Sequence, residues 1–217
     1  MSIDFNVFYC SRNQFSLEEF EQYAASLGFG FMFHPDCDVT ARKGIVPIRL
    51  ESSALSGDGT VAAYSTAFES YPNDYEHPPI RKVTKKTLLS RIFKRRKHAA
   101  EDESTPELSG FDLAVKDCDK NIFISSRGED PLEILAAYIY GAYYCRKFGA
   151  VFDNPQIGRF YNDADELETV IMDLTEEFRK AAGNGQLNAQ PFTEWGELPA
   201  EKPVIRKPSD GPFAVTE

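Results

Sequence analysis

His34-x-x-Cys37 has the spacing of half a structural zinc site. Zinc in such a site is held by four nitrogen or sulfur ligands. The other histidines, His77 and His98, and the other cysteines, Cys10, Cys118 and Cys145, form no second pair at ligand spacing. Three carboxylate pairs, Asp36/Asp38, Asp117/Asp119 and Asp163/Asp165, could divide acid and base work between them. Such work needs a histidine or a cleft that separates the two pKa values, and turns and helix caps use the same residues. "LSGDGTV" (55–61) has two glycines but not the spacing that cradles a phosphate, so it reads as a hairpin turn. A catalytic thiol requires a nearby base that stabilises the thiolate, and only His34, His77 and His98 are available for that. The sequence therefore assigns no catalytic residue, no metal and no cofactor. It points to a protein that binds rather than one that turns over a substrate.

Charge says what it would bind. The formal net charge of the 217 residues is −10, yet "KKTLLSRIFKRRKHAAEDES" (85–104) is densely cationic until it breaks into acid. Of 24 Lys and Arg, nine fall within 81–98, which holds no acid. The remaining 15 face 34 Asp and Glu, a balance of −19. An acidic body disfavours nucleic acid, whose phosphates must be met by Lys and Arg, and suits a basic partner. The segment 81–98 itself has two readings. Its Leu88, Leu89, Ile92 and Phe93 could form a narrow apolar face that lies against the chain's own acidic body. Alternatively it meets an anionic membrane, as in a peripheral membrane adaptor. The first is favoured, because a body at −19 repels an anionic bilayer within a Debye length. No stable membrane anchoring is expected.

"MSIDFNVFYC" lacks the features of a signal peptide. "LEILAAYIYGAYYC" (132–145) is too short to span a bilayer and contains Glu133. The expectation is a cytoplasmic protein whose four cysteines are free thiols.

The elements that would position these residues follow from periodicity. Strands are predicted at 5–10, 29–33, 44–51 and 60–71, with Pro47 marking 44–51 as an edge or irregular strand. A helix over 16–28 has Ser16 and Glu19 as a capping box and Gly28 as its stop. "FDLAV" (111–115) and "NIFISS" (121–126) read as a β-hairpin. A buried helix over 130–149 has Asp130 as cap, Pro131 in its first turn and Gly149 at its end. Residues 150–161 read as a strand turning at Asn154-Pro155, and 163–183 as an amphipathic helix. The fold class is α+β, an antiparallel or mixed sheet with about three main helices on one side. One domain spans 1–182, with a short basic helix or mobile insertion at about 81–110. A Pro-rich tail, 183–217, follows, in which Phe192, Trp195 and Phe213 could dock locally.

"DNPQIGRFY" (153–161) resembles a turn that recurs in small bacterial immunity-type proteins that neutralise toxins, here with Asn154 intervening. The resemblance runs loosely over residues 111–182. It implies stoichiometric binding of a cognate toxin, and the charge balance makes that toxin basic. The bland reading is that Pro155 and Gly158 simply turn the chain. The acids Glu101, Asp102, Glu103, Asp163, Asp165 and Glu166 are the candidate partner-binding residues.

Overall fold

The computed structural model describes residues 2–56, 58–77, 109–127, 130–184 and 189–202. The insertion at 81–98, with Glu101, Asp102 and Glu103, lies outside them, as does Phe213.

An antiparallel sheet carries the fold. Its strands are β1 (Ser2–Tyr9), β2 (Gly30–Phe33), β3 (Gly44–Ser52), β4 (Ala62–Asp74), β5 (Lys120–Arg127), β6 (Val151–Asn154) and β7 (Arg159–Tyr161), in the order β2-β3-β4-β5-β1-β6-β7. A short β8 (Gln190–Pro191) pairs with β4. Alternation decides the faces. Phe5 and Val7, Val46, Ile48 and Leu50, Phe68, and Ile122 and Ile124 point inward and are almost fully buried. Their neighbours in sequence point the other way.

Three helices cover the inner face: α1 (Leu17–Ser26), α3 (Pro131–Phe148) and α4 (Ala164–Gly183). Ser16 caps α1 by accepting from Glu19 N, but the reciprocal half of the predicted box is replaced, since the Glu19 carboxylate pairs with Lys147 of α3 at 2.7 Å. Between Leu132 and Cys145 helix α3 is apolar on every side but for Glu133, and it is buried on nearly every side, as that pattern requires. Asp130 caps it at Leu132 N (2.9 Å), and Gly149 ends it in the left-handed region (φ 61°). Gly141 lets α3 settle onto β6, for a Cβ there would stand 2.1 Å from Phe152 Cδ2. Helix α4 buries Leu167, Ile171 and Phe178 and starts at Asp163, which accepts from Asp165 N at 3.0 Å. The α1 end of the core is aromatic, with Phe20 set edge-on to Phe31 at 4.8 Å.

Two expectations are corrected. Residues 111–115 form no hairpin with 121–126. They belong to α2 (Gly110–Val115), and β5 pairs with β1 and β4 instead. Ser109 and Asp112 make a complete capping box, and Phe111, Ala114 and Val115 follow helical spacing against the sheet while Leu113 stays exposed. Helix α2 sits on the outer face, against Phe8 and Val151. Pro47 is likewise not on an edge strand, because β3 lies between β2 and β4. It falls where β2 has just ended, and its carbonyl accepts from His34 N at 3.1 Å. A residue without an N–H is accommodated there.

The tail from residue 189 to 202 runs over the outer face of β2 and β3. Phe192 lies 5.1 Å under the Arg49 guanidinium and 4.9 Å from Trp195, and Trp195 packs edge-on to His34 at 5.3 Å. Arg42 bonds Pro199 O, Lys202 N reaches Lys43 O at 3.1 Å, and Lys202 Nζ ends on Glu69 at 2.5 Å. Phe192 and Trp195 thus dock, and this part of the tail is a strap.

Candidate functional site

The strap covers one side of the outer sheet face and α2 the other. Between them, β4, β5, β1 and β6 present a window that no described element crosses. Its residues are fixed by register. Tyr71, Phe123, Asn6, Asp153 and Phe160 stand opposite one another across five strands, a row of roughly 19 Å at the usual strand spacing. Glu69, Ser125 and Asp4 form the adjacent row. Directly paired residues share a face, so these side chains meet although they lie far apart in sequence.

The window's centre is polar and half-buried. Asn6 Nδ2 donates to Asp153 Oδ2 at 3.4 Å, and Asn121 Nδ2 donates to Asn6 Oδ1 at 3.4 Å. Ser125 Oγ donates to Asp4 Oδ1 at 2.7 Å, and the Tyr71 hydroxyl to Glu69 Oε2 at 2.7 Å. Burial pushes the Asp153 carboxyl above the usual carboxylate range, and the Asn6 bond only partly opposes this. On the α2 side, Phe111 packs edge-on against both Phe8 and Phe160, each at 5.5 Å.

One edge of the window is closed by the turn that drew attention in the sequence. β6 pairs with β1 only from Asn6 to Phe8, which leaves Asp4 beyond its end. Gln156 fills the place. Its Nε2 donates to Asp4 O at 2.6 Å and to Asn154 Oδ1 at 3.0 Å, while its Oε1 accepts from Asp4 N at 2.7 Å. Asn154 is buried and donates to the Tyr138 hydroxyl at 3.1 Å. Gly158, at φ 62°, completes the turn.

The acids singled out from sequence are placed elsewhere. Asp163 caps α4, Asp165 is bound by Arg146, and Glu166 pairs with Arg159 at 3.3 Å. Arg146 also bonds Glu168 at 2.8 Å, and Glu168 accepts from the Tyr23 hydroxyl at 2.9 Å, so this cluster ties α1, α3 and α4 together. The loop carboxylates build turns. Asp38 accepts from Thr40 N and Oγ1 (3.0 and 2.6 Å), Asp119 from Ser11 N and Oγ (2.6 and 2.5 Å), and Asp58 from Thr60 N (3.0 Å). These bonds hold all three carboxyls below their ordinary range, Asp58 at about 2. His34 is buried with both ring nitrogens engaged, Nδ1 by Asp36 N at 3.1 Å and Nε2 by Gly196 O at 3.0 Å. Among the described residues no group of three His, Cys, Asp or Glu could hold a metal ion. All four cysteines are free thiols, and burial pushes Cys118 up to about 11 and Cys145 up to about 12.

Asn6 and Asn121 were missed by reasoning from sequence, and Asp153 was noted only as the first residue of the 153–161 turn. One signal pointed to them: Asp4 and Asn6 alternate with Phe5 and Val7 in a segment read only as a buried strand. The same alternation in β5 sets Asn121 and Ser125 against Ile122 and Ile124. Compared with known protein families, with curated proteins and with solved structures, the chain matches none of them.

Proposed function

We propose that this chain is a stoichiometric protein-binding module, an immunity-type protein that binds and blocks a basic toxin. The observation that carries the reading is electrostatic. Outside 81–98 the acid excess of the chain is −19, and the described sheet presents a bounded polar window flanked by Phe123, Tyr71 and Phe160. Charge of one sign steers and selects an oppositely charged protein, while aromatic contacts at the centre of an interface supply affinity. Blocking by occupancy requires fit and charge, not a reacting group.

The reading includes no stable membrane anchoring, because a balance of −19 outside 81–98 repels an anionic bilayer. Among the described residues no helix is long and apolar enough to cross a membrane.

The test is isothermal titration and stopped-flow mixing with the proteins encoded beside this chain's gene, any basic one first. A one-to-one complex is expected, with an association rate that falls about tenfold or more from low to high salt. Absence of any saturable complex with neighbour-encoded proteins, combined with turnover of a small substrate, would overturn it.

A further inference from the structure

We propose that the window between the strap and α2 is the face that docks the basic partner, with Asp153 receiving a lysine or arginine side chain. The proposal rests on the binding function above and names its surface.

Two other carboxylates on the outer face have cations. Glu69 meets Lys202 at 2.5 Å, and Glu51 meets Arg49 at 2.5 Å. Asp153 forms no ion pair among the described residues, and its bond from Asn6 is long at 3.4 Å. A half-buried carboxylate in that position carries a desolvation cost that an arriving cation reverses. Its row supplies the rest of a cation's needs. Phe160 on one side, and Phe123 beyond Asn6 on the other, offer faces for the aliphatic stem or the guanidinium plane.

The α4 acids are weaker anchors for the same partner. Asp165 and Glu166 are exposed, already paired with Arg146 and Arg159, and screened by solvent. A partner docking there would have to replace existing pairs for little gain, whereas at Asp153 it makes a new one.

The probe is an amphipathic basic peptide of alternating lysine and leucine, titrated into the full-length isotope-labelled chain and followed by amide NMR. Saturable shifts are expected at Asn6, Asn121, Phe123 and Asp153. Asp153→Asn should weaken binding about tenfold, and Asn121→Asp, which adds a carboxylate to the window, should tighten it. The gain in the second variant cannot come from misfolding. A Glu166→Gln, Asp173→Asn double variant on α4 should stay within about twofold of the parent. Shifts centred on α4, or indifference to both window variants, would overturn the window. If the parent chain is silent but one with Arg91, Lys94, Arg95 and Arg96 changed to Glu binds, the chain's own segment competes for the window, and docking of an outside partner is overturned. A complex with the neighbour-encoded protein that ignores Asp153→Asn and Asn121→Asp leaves stoichiometric binding standing and removes only its assignment to this face. No saturable binding of either probe to any of these chains removes both.

Discussion

Gln156 holds the main chain of Asp4 with both ends of its side-chain amide, donating to the carbonyl at 2.6 Å and accepting from the N–H at 2.7 Å. A strand residue would make the same two bonds. The turn after β6 thus extends the sheet by one position without extending the strand, and it fixes the edge of the window beside Asp153. The resemblance that the sequence suggested falls on a piece of local architecture.

Gln156→Ala should therefore destabilise the fold by about 1–2 kcal/mol, the value of a few partly exposed hydrogen bonds. Urea unfolding measures it, and hydrogen exchange at the Asp4 amide should accelerate more than at Phe5. Ile157→Ser, one residue on and 61% exposed, should stay within about 0.5 kcal/mol. Equal effects from the two variants would refute the strand-like role.

Gly141→Ala should be among the most damaging single-methyl changes in the chain. The added Cβ would meet the Phe152 ring at 2.1 to 3.0 Å, and both residues are locked between α3 and β6. Overpacking of this kind costs about 1–3 kcal/mol or more. Pairing it with Phe152→Leu should recover part of the loss in a double-mutant cycle, because the collision is with that ring. Additive losses would show that the helix simply dislikes the change.

How much of this was legible in the sequence can be judged element by element. Helices α1, α3 and α4 announced themselves by caps, stops and apolar stripes, which are local signals. Helix α2 was local as well. Ser109 and Asp112 spell a capping box, but five residues with one charge imitate a strand, and the neighbouring apolar run made a hairpin plausible. The window was not local at all. Asn6 and Asp153 are 147 residues apart in sequence and meet only because β1 lies between β5 and β6. Periodicity gives each strand a face and does not say which strands are neighbours. The strap shows the same limit, since Trp195 has no periodic context and gains its place from His34, 161 residues earlier.

Asp153→Asn should raise stability at neutral pH while weakening partner binding. The folded-state pKa of Asp153 lies above its unfolded value because of burial. A group raised in this way favours folding in its protonated form, so its contribution is full below the unfolded pKa and declines as pH rises through the folded one. Asparagine keeps the bond to Asn6 and removes the charge. The gain in melting temperature, roughly 1–2 °C for half a kcal/mol, should appear at pH 7 and shrink towards zero near pH 4. A loss of stability at pH 7 would contradict the desolvation argument.

The strap offers the most direct optical test, because Trp195 is the chain's only tryptophan. His34 Nδ1 accepts from Asp36 N at 3.1 Å, so its proton sits on Nε2, and that N–H donates to Gly196 O at 3.0 Å. The ring therefore fixes the strap at two points, one by this bond and one by edge-on packing against the indole at 5.3 Å. His34→Ala removes both and leaves a cavity beneath the indole. Its cost to the whole fold should be about 1–3 kcal/mol, since the ring is buried and hydrogen-bonded. The local effect should be larger in proportion. Trp195 emission should shift to the red, acrylamide should quench it more readily, and protease should cut between 189 and 202 before the sheet unfolds. Arg49→Ala provides the comparison. It removes the guanidinium over Phe192 but leaves the Trp195 contact to His34, so emission should move less. If His34→Ala lowers stability while tryptophan emission and cleavage stay as in the parent, the strap is held by its pairing to β4 and the arginine contacts alone, and the histidine is an ordinary core residue.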